Sequence, residues 1–326
     1  MNPTHQVILN PTAGSGRAGK LRPELERELV KRSVEYEVRE TAARGHAIEL
    51  ARLAAERGIP TIVAAGGDGT IHEVANGILQ AHVNGGRPAP MLAVVPTGTG
   101  NDFVKVVDGA RAIPEAYDTL ASGTVRRFDA GLVEWEGGQE FFINGMGTGI
   151  DVEVVRQFVR LPRVPGMPAV AGYLVALFKA LAVFRPIPLR IRLDGNAWEQ
   201  EVMIVAIGNG RCLGGGFYVC PGALPDDGRF DVCVVDRLNL RQIAQVLPRV
   251  LRGTHTNLPT VKMKRAQVIE IEALGPDPLF FQLDGELREP RSARWMRITL
   301  HAGALPVVGA ARPGAPLASP QEDARL

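Results

Sequence analysis

The sequence predicts an α/β protein in two parts: an N-terminal doubly wound, Rossmann-like parallel-sheet domain and a C-terminal, mainly antiparallel β domain with a few helices. Three observations predict it. Up to Asp129, apolar runs end in glycine-rich loops and pass into helically spaced segments, and such strand–loop–helix repetition builds a parallel sheet covered on both faces. From Ala130 onward short strand-like runs dominate, which suits antiparallel pairing. A chain of 326 residues is also long for one small core.

Taken in order, Gln6 to Asn10 reads as a buried strand, followed by a glycine-rich turn and a helix from about Lys20 to Lys31. Tyr36 to Glu40 alternates like a strand, and His46 to Glu56 sets Ile48, Leu50, Leu53 and Ala54 at helical spacing. Thr61 to Ala65 is a second apolar run, then a Gly66-Gly67-Asp68-Gly69 loop and a helix from Thr70 to Gln80. Met91 to Val95 is a third, ended by Pro96 and another glycine loop. Residues 1–129 form the first domain on this reading, with 302–310 available to complete it. The second domain, 130–301, has strands at Phe141–Asn144, Leu189–Leu193, Val202–Ile207, Phe230–Val235, Gln267–Glu272, Phe280–Leu283 and Trp295–His301. Helices are expected at Gly166–Phe184 and Leu240–Arg252. The tail, 311–326, is rich in Pro, Ala and charge and reads as disordered.

Hydrophobic residues make up 45% and charged residues 22% of the chain, the balance of a globular protein. A net charge of +2 from 37 basic and 35 acidic side chains argues against nucleic acid, where clustered cations must neutralise many phosphates. A local basic patch against an anionic membrane stays open. Cys212, Cys220 and Cys233 form no CxxC pair, so reduced, buried thiols are expected and not a disulfide framework or a zinc site. The first residues lack a basic stretch followed by an apolar one, so no secretory signal is read and the cytoplasm is expected. Pro168 to Phe184 is the most apolar stretch but contains Lys179. It falls short of the ~20 residues that span a bilayer and is read as a buried or interfacial helix.

The segment from Asn10 to Lys20 satisfies GxGxxG through Gly14, Gly16 and Gly19, and GxxxxGK through Gly14, Gly19 and Lys20, with Leu21 where a Walker loop needs Ser or Thr. Both matches mean an anion site made by turn amides, a helix N-terminus and a nearby lysine. The Gly66–Thr70 loop, GGDGT, sets Asp68 where a strand ends and a helix begins. A carboxylate beside polyphosphate is repelled unless a divalent cation lies between them. His72, Glu73 and Asn76 follow on the helix, where Glu73 and Asn76 face either the site or solvent. A third loop offers Thr99, Asn101 and Asp102, and Asp129 falls at the domain junction. Each acid alone is an ordinary cap or surface residue, but acids at several strand ends around one crevice suit metal-assisted phosphoryl transfer.

The segments NPTAGSGRAGK at 10–20, GGDGTIHEVANGI at 66–78, PTGTGNDF at 96–103, PGALPDDGRFDV at 221–232 and QLDGE at 282–286 together resemble the diacylglycerol kinase catalytic domain of bacterial and eukaryotic lipid and sphingoid-base kinases. The resemblance runs in order from Gln6 to about Val308. It implies ATP in the interdomain crevice, held by Asn10, Pro11, Thr12, Ala13, Gly14, Gly16 and Lys20, by Thr41, by Gly66, Gly67, Asp68, Gly69, Thr70, Ile71, His72 and Glu73, and by Thr99 and Asn101. It implies a catalytic magnesium organised by Asp68, Asp102 and Asp129, and a structural one on the Asp227 carboxylate and the carbonyls of Leu224 and Arg229. The proton acceptor is expected in Asp284-Gly285-Glu286, with Asp284 preferred and Glu286 orienting it, roles that are exchangeable. A hydroxyl is a poor nucleophile until its proton is accepted. His72 stands where a smaller or polar residue is more usual in the family.

The implied reaction moves the γ-phosphoryl group of ATP to a lipid hydroxyl, first of all diacylglycerol to phosphatidic acid. A sphingoid base, ceramide or glycolipid is the alternative acceptor, because pocket shape makes that choice. An NAD kinase-like enzyme with a soluble substrate is a further alternative. A dehydrogenase reading, supported by GxGxxG and Glu40, leaves Asp68, Asp102 and Asp284 without a purpose. A non-catalytic regulator is disfavoured because every expected acid is present. On the lipid side, Leu174, Leu177, Phe178 and Leu181 of the Tyr173–Phe184 helix either line an acyl cleft or pack as core. Arg156, Arg160 and Arg163 either meet headgroups or are solvated. Peripheral membrane contact is expected, and a homodimer is left open.

Overall fold

A computed structural model describes residues 4–97, 102–106, 116, 118–120, 124–162, 169–214 and 216–309. Its first half begins with β1 (His5–Leu9), α1 (Ala13–Lys31), β2 (Tyr36–Glu40), α2 (His46–Glu56), β3 (Thr61–Gly66), α3 (Asp68–Leu79) and β4 (Met91–Pro96). The strands lie parallel in the order β2-β1-β3-β4. Alternate side chains of a strand point to opposite faces, and the two faces are covered separately. Val7, Leu9, Val63 and Ala65 pack under Ala18, Leu25 and Leu29 of α1. Ile8, Ile62 and Ala64 pack with α2 and α3 on the other side. β3 is buried at every position, as a central parallel strand should be.

The second half comprises α4 (Asp102–Val106), β5 (Thr124–Trp135), β6 (Gly138–Phe142), β7 (Gly145–Gly149), α5 (Ile150–Arg160), α6 (Ala169–Val183), β8 (Ile187–Leu193), β9 (Asn196–Gly208), β10 (Phe230–Asp236), α7 (Leu240–Val250), β11 (Val261–Ala266), β12 (Val268–Ala273), β13 (Phe281–Leu283), β14 (Glu286–Arg288) and β15 (Trp295–Gly309). Pairing here is antiparallel. Phe142, Phe230, Phe281, Ile191 and Ile298 sit in its core. β15 serves both halves. Its first residues pair with β12, its whole length runs against β5 with a register shift between His301 and Leu305, and Val307 pairs in parallel with Leu92 of β4. The mixed fold, a parallel portion with helices followed by an antiparallel β region, is the one the sequence predicts.

Several local expectations change. The glycine segment is not a free turn, because α1 begins at Ala13 and absorbs it. The strand expected over Phe141–Asn144 ends at Phe142, and Ile143-Asn144 form a bend into β7. Six of these elements escaped the sequence criteria: α4, β5, β7, α5, β11 and β14. β7 reads GMGTG, with one β-branched residue among three glycines, and β11 reads VKMKRA, whose alternation covers only Val261 to Lys264 amid three basic residues. The start of the helix expected from Gly166, and the 311–326 tail, lie outside the described residues. Among the described residues no helix is long and apolar enough to cross a membrane. The three cysteines are free and buried.

α2 and α3 pack closely against one another. Ala47, Ala51, Ala54 and Ala55 line α2 where it meets α3. A Cβ on Gly77 would collide with the carbonyl oxygen of Ile48 and lie 2.7 Å from the Ala51 methyl. Gly77→Ala is therefore expected to destabilise the fold by about 1–3 kcal/mol through overpacking. The measurement is a urea titration, which should show a lower midpoint at constant slope. An unchanged midpoint would show that α2 moves away freely.

Candidate active site

The segments that follow β1, β2, β3 and β4 converge at the carboxyl ends of the parallel strands, where open α/β sheets bind ligands. Facing them from the antiparallel half are the bend after β6, the start of α5, Tyr173 of α6 and the turn between β13 and β14. Together they enclose a cavity of about 600 Å³.

The floor is set by hydrogen bonds between loops. Asn10 donates to Thr70 Oγ1 at 3.0 Å and accepts from the Thr12 amide and hydroxyl at 3.1 and 2.8 Å. Gly14 has φ +59°, and a Cβ there would strike the Thr97 carbonyl oxygen, so the loop after β4 crosses directly over the start of α1. The Gly16 and Gly19 amides bond the carbonyls of Thr12 and Pro11. The anion cradle is therefore smaller than the glycine pattern suggested. Lys20, Pro11, Gly16 and Gly66 do not line the cavity, whereas Asn10, Thr12, Ala13, Gly14 and Thr41 do. α3 starts at Asp68, and Asp68, Gly69 and Thr70 line the cavity, so a helix N-terminus faces it. Glu73 also reaches the wall, but its two oxygens accept the Gly45 and Ala47 amides at 2.8 and 3.2 Å and so cap α2. Asn76 turns inward and bonds both the N–H and the carbonyl of Phe141 at 2.9 Å.

Carboxylates dominate the walls. Asp68, Asp102, Asp151, Asp284 and Glu286 all line the cavity. Asp68 accepts from the Phe103 amide at 3.4 Å and Asp102 from Lys105 at 2.7 Å. Their convergence registers on Tyr173, whose phenol is pushed well above its ordinary range by burial and then by Asp102, Asp151, Asp68 and Glu286. Arg44 pairs with Glu286. Asp151 was missed from the sequence. It sits at the start of α5, accepts from Gln282 Nε2 at 2.7 Å, and burial raises its pKa. Only its position after a glycine-rich strand could have signalled it.

Asp284 is held more tightly than its sequence position suggested. It occupies the turn between β13 and β14 with φ +50°. Its Oδ1 accepts the Asn144 and Gly145 amides at 2.8 and 2.9 Å, and its Oδ2 accepts the Ile143 amide at 3.0 Å and meets His72 Nδ1 at 2.8 Å. Three amide donors and a His72 ring nitrogen thus occupy the four lone-pair directions of the carboxylate.

Asp129 is a correction. It does not line the cavity; its oxygens accept the Gly303 and Gly228 amides, each at 2.8 Å, and its own amide bonds the Pro225 carbonyl. It thus ties β5 to the β15 irregularity and to the 225–228 loop. In that loop Asp227 accepts its own turn amide at Arg229 and pairs with Arg265, and Asp226 pairs with Arg126. Thr99 and Asn101 lie outside the described residues. Phe178 does not line the second, apolar groove, which Leu177 and Leu181 do. Arg156 is held by Glu153 and Glu289, and Arg163 lies outside the described residues. Glu40, the acid that a dehydrogenase would need, pairs with Arg22 at 2.6 Å.

A family model described as diacylglycerol kinase catalytic domain matches residues 4–133, and one described as YegS C-terminal NAD kinase beta sandwich-like domain matches residues 144–309. A Xanthomonas euvesicatoria pv. vesicatoria (strain 85-10) protein named "Probable lipid kinase YegS-like" is 33% identical over 91% of this chain and 94% of its own. The chain belongs to the diacylglycerol kinase family of lipid kinases. A Staphylococcus aureus (strain bovine RF122 / ET3-1) diacylglycerol kinase is 28% identical over 91% of this chain and 90% of its own. The crystal structure of a diacylglycerol kinase from Bacillus anthracis str. Sterne shares the fold at a TM-score of 0.68 and 22% identity, covering 94% of this chain and 96% of that one. Another crystal structure from that organism reaches 0.73 at 23% identity, with the same coverage. Membership in this lipid kinase family implies use of ATP and removes the dehydrogenase reading.

Asp284→Asn places an amide group against three backbone N–H donors. The variant is expected to lose about 1–3 kcal/mol of stability from groups left unsatisfied and to abolish phosphoryl transfer while still binding ATP. Calorimetric ATP titration beside a turnover assay checks this; wild-type turnover would remove Asp284 from the active site.

Proposed function

We propose that this lipid kinase is ATP- and magnesium-dependent and transfers the γ-phosphoryl group to the hydroxyl of diacylglycerol, forming phosphatidic acid. The observation that carries the acceptor class is the junction of two unlike cavities. The carboxylate-lined cavity shares Asp151, Tyr173, Leu213 and Gly214 with an apolar groove of about 150 Å³ lined by Leu177, Leu181, Val246 and Leu247 among others. A polar donor site beside a greasy slot suits an acceptor with one hydroxyl and apolar tails.

The chain's acids fit a magnesium ion of the kind that comes in with nucleotide. Among the described residues no three acidic, His or Cys side chains form a metal cage. Magnesium is commonly held by one or two carboxylates together with substrate phosphates and water, and Asp68 and Asp102 supply such a pair. When bound, the ion would neutralise charge on the transferring phosphoryl group. The α3 N-terminus would hold phosphate oxygens, and Tyr173 with Leu213 would exclude water at the mouth of the groove. Glu286 is the candidate for the hydroxyl proton: Asp284, preferred from the sequence, has its oxygens taken by three amides and His72 and fixes the turn, while Glu286 extends from it toward Gly69, where a Cβ would lie 2.9 Å from its Oε1. In the 224–229 loop, a second ion on Asp227 would have to displace Arg265. Asp231 Oδ2 lies 3.6 Å from Nε of the same arginine, so Arg265 is the cation both carboxylates now share.

Peripheral membrane contact belongs to the same reading. Val159 is 72% and Phe178 62% exposed on the α5–α6 pair that borders the groove, and apolar side chains of this kind enter a lipid interface.

The test incubates the protein with labelled ATP and a panel of diacylglycerol, ceramide, sphingosine and NAD in mixed micelles. Labelled phosphatidic acid is the expected product; label confined to ceramide or sphingosine would move the acceptor, and a water-soluble product alone would overturn the lipid reading. Leu247→Trp, which fills the groove, should raise KM for diacylglycerol about tenfold or more and leave KM for ATP unchanged. An equal effect on both would place the acyl chains elsewhere.

A further inference from the structure

His72 has a part in the site that the motif reading did not give it. It stands in the first turns of α3, 2% exposed, with Nδ1 2.8 Å from Asp284 Oδ2 and Nε2 2.8 Å from Glu140 Oε1. Glu140, on β6, is gripped by Arg288 of β14, with Arg288 Nε 2.5 Å from Oε2. The Arg288 guanidinium also comes within 3.5 Å of His72 Nε2. Asn76, one turn on along α3, is the neutral neighbour.

These contacts fix where the protons lie. Ionised carboxylates only accept, and a neutral imidazole carries one N–H, so two carboxylates on the two ring nitrogens require either an imidazolium or a protonated acid. Asp284 already accepts three backbone N–H groups and Glu140 accepts from Arg288. A proton on either acid would set donor against donor. The ring is the remaining place for it.

We propose that His72 is a positioning residue, an imidazolium clamped between Asp284 and Glu140 that holds the Asp284–Glu286 turn in its reactive shape. The proposal rests on the kinase reading for what the turn is used for. The turn needs a clamp, because Asp284 takes a left-handed φ of +50°, which costs a non-glycine residue energy. Gly285 then bonds Gln282 Oε1 at 2.6 Å, and Glu286 emerges against Gly69 of α3, the helix that carries His72. Were the ring neutral, Asp284 and Glu140 would face it as two buried anions with one donor between them, and the turn would lose its hold on α3.

The electrostatics agree in direction. Burial lowers the His72 pKa, but hydrogen bonds to Asp284 and Glu140 outweigh it and raise it to about 9. Burial raises Glu140, but Arg288 and then His72 bring it down to about 2. The raised value for His72 means that the charged clamp is present below about pH 9 and lost above it. Turnover should therefore fall on an alkaline limb.

The experiment pairs kinase pH profiles with imidazole nitrogen NMR on the intact chain, for wild type, His72→Asn and Glu140→Gln. Asparagine can still donate to Asp284 but carries no charge. His72→Asn should lower kcat roughly 10- to 100-fold, the scale of a small misplacement in an active site, with KM for ATP retained and the alkaline limb gone. Glu140→Gln removes one of the carboxylates that hold the proton and should move the limb to lower pH. In the spectra, one of the six histidines should stay doubly protonated to about pH 9 in wild type, titrate earlier in Glu140→Gln, and be absent in His72→Asn. A neutral His72 ring at pH 7, or a limb that Glu140→Gln leaves in place, overturns the clamp. If His72→Asn does not fold, Glu140→Gln and the wild-type spectra still decide. Wild-type protein inactive on every lipid would sink the kinase reading, while the spectra judge the clamp without turnover.

Discussion

One antiparallel ribbon determines where everything else can be. β5 and β15 pair from Trp135–Met296 at one end to Thr124–Gly309 at the other, passing through the antiparallel region and then alongside β4. The cavity-lining segment after β4 leads into β5 at one end of that ribbon, and the β13–β14 turn leads into β15 at the other. Asp129 sits in β5 opposite the point where the register slips between His301 and Leu305 and takes the Gly303 amide. A carboxylate that sequence motifs associate with a metal thus serves to close an irregularity in the backbone. Burial raises its pKa while the two amides pull the other way.

The cavity gathers acids but treats them differently. Glu73 neutralises the start of a helix, Asp284 is surrounded by amides and a histidine, and Asp151 lies against a glutamine. Asp68 and Asp102 stand at helix starts and line the cavity. Positive charge is sparse there: of the described arginines and lysines only Arg44, already paired with Glu286, lines the cavity, beside His72. On the proposed reading, a polyanionic nucleotide would enter this space with a companion cation. Hydrophobic packing brings the acids together, and their mutual repulsion defines what the site can accept.

Much of this was legible from the chain. The parallel strands were visible because fully buried strands read as continuous apolar runs, and GGDGT and DGE announced themselves as residues at strand ends. What stayed hidden depends on contacts distant in sequence. Glu140 and Arg288 meet His72 across separations of 68 and 216 residues, and no local pattern marks either one. β7 was invisible because its glycines are chosen for room: a Cβ on Gly147 would run into the Asp151 carboxylate. The reach of α1 back through the glycine segment was also unreadable, since glycine composition suggests a turn whether or not a helix follows immediately. The same holds for Phe178, which helical spacing groups with Leu177 but which faces outward.

The pairing of Val307 with Leu92 also bears on how the molecule is made. During synthesis on the ribosome the first four strands emerge early, yet the neighbour that flanks β4 arrives only with the last part of β15. Until then the edge of β4 carries unsatisfied peptide groups, the kind of template on which other nascent chains can add. The parallel half is therefore a provisional structure for most of translation, and its completion is coupled to the emergence of the end of the antiparallel half.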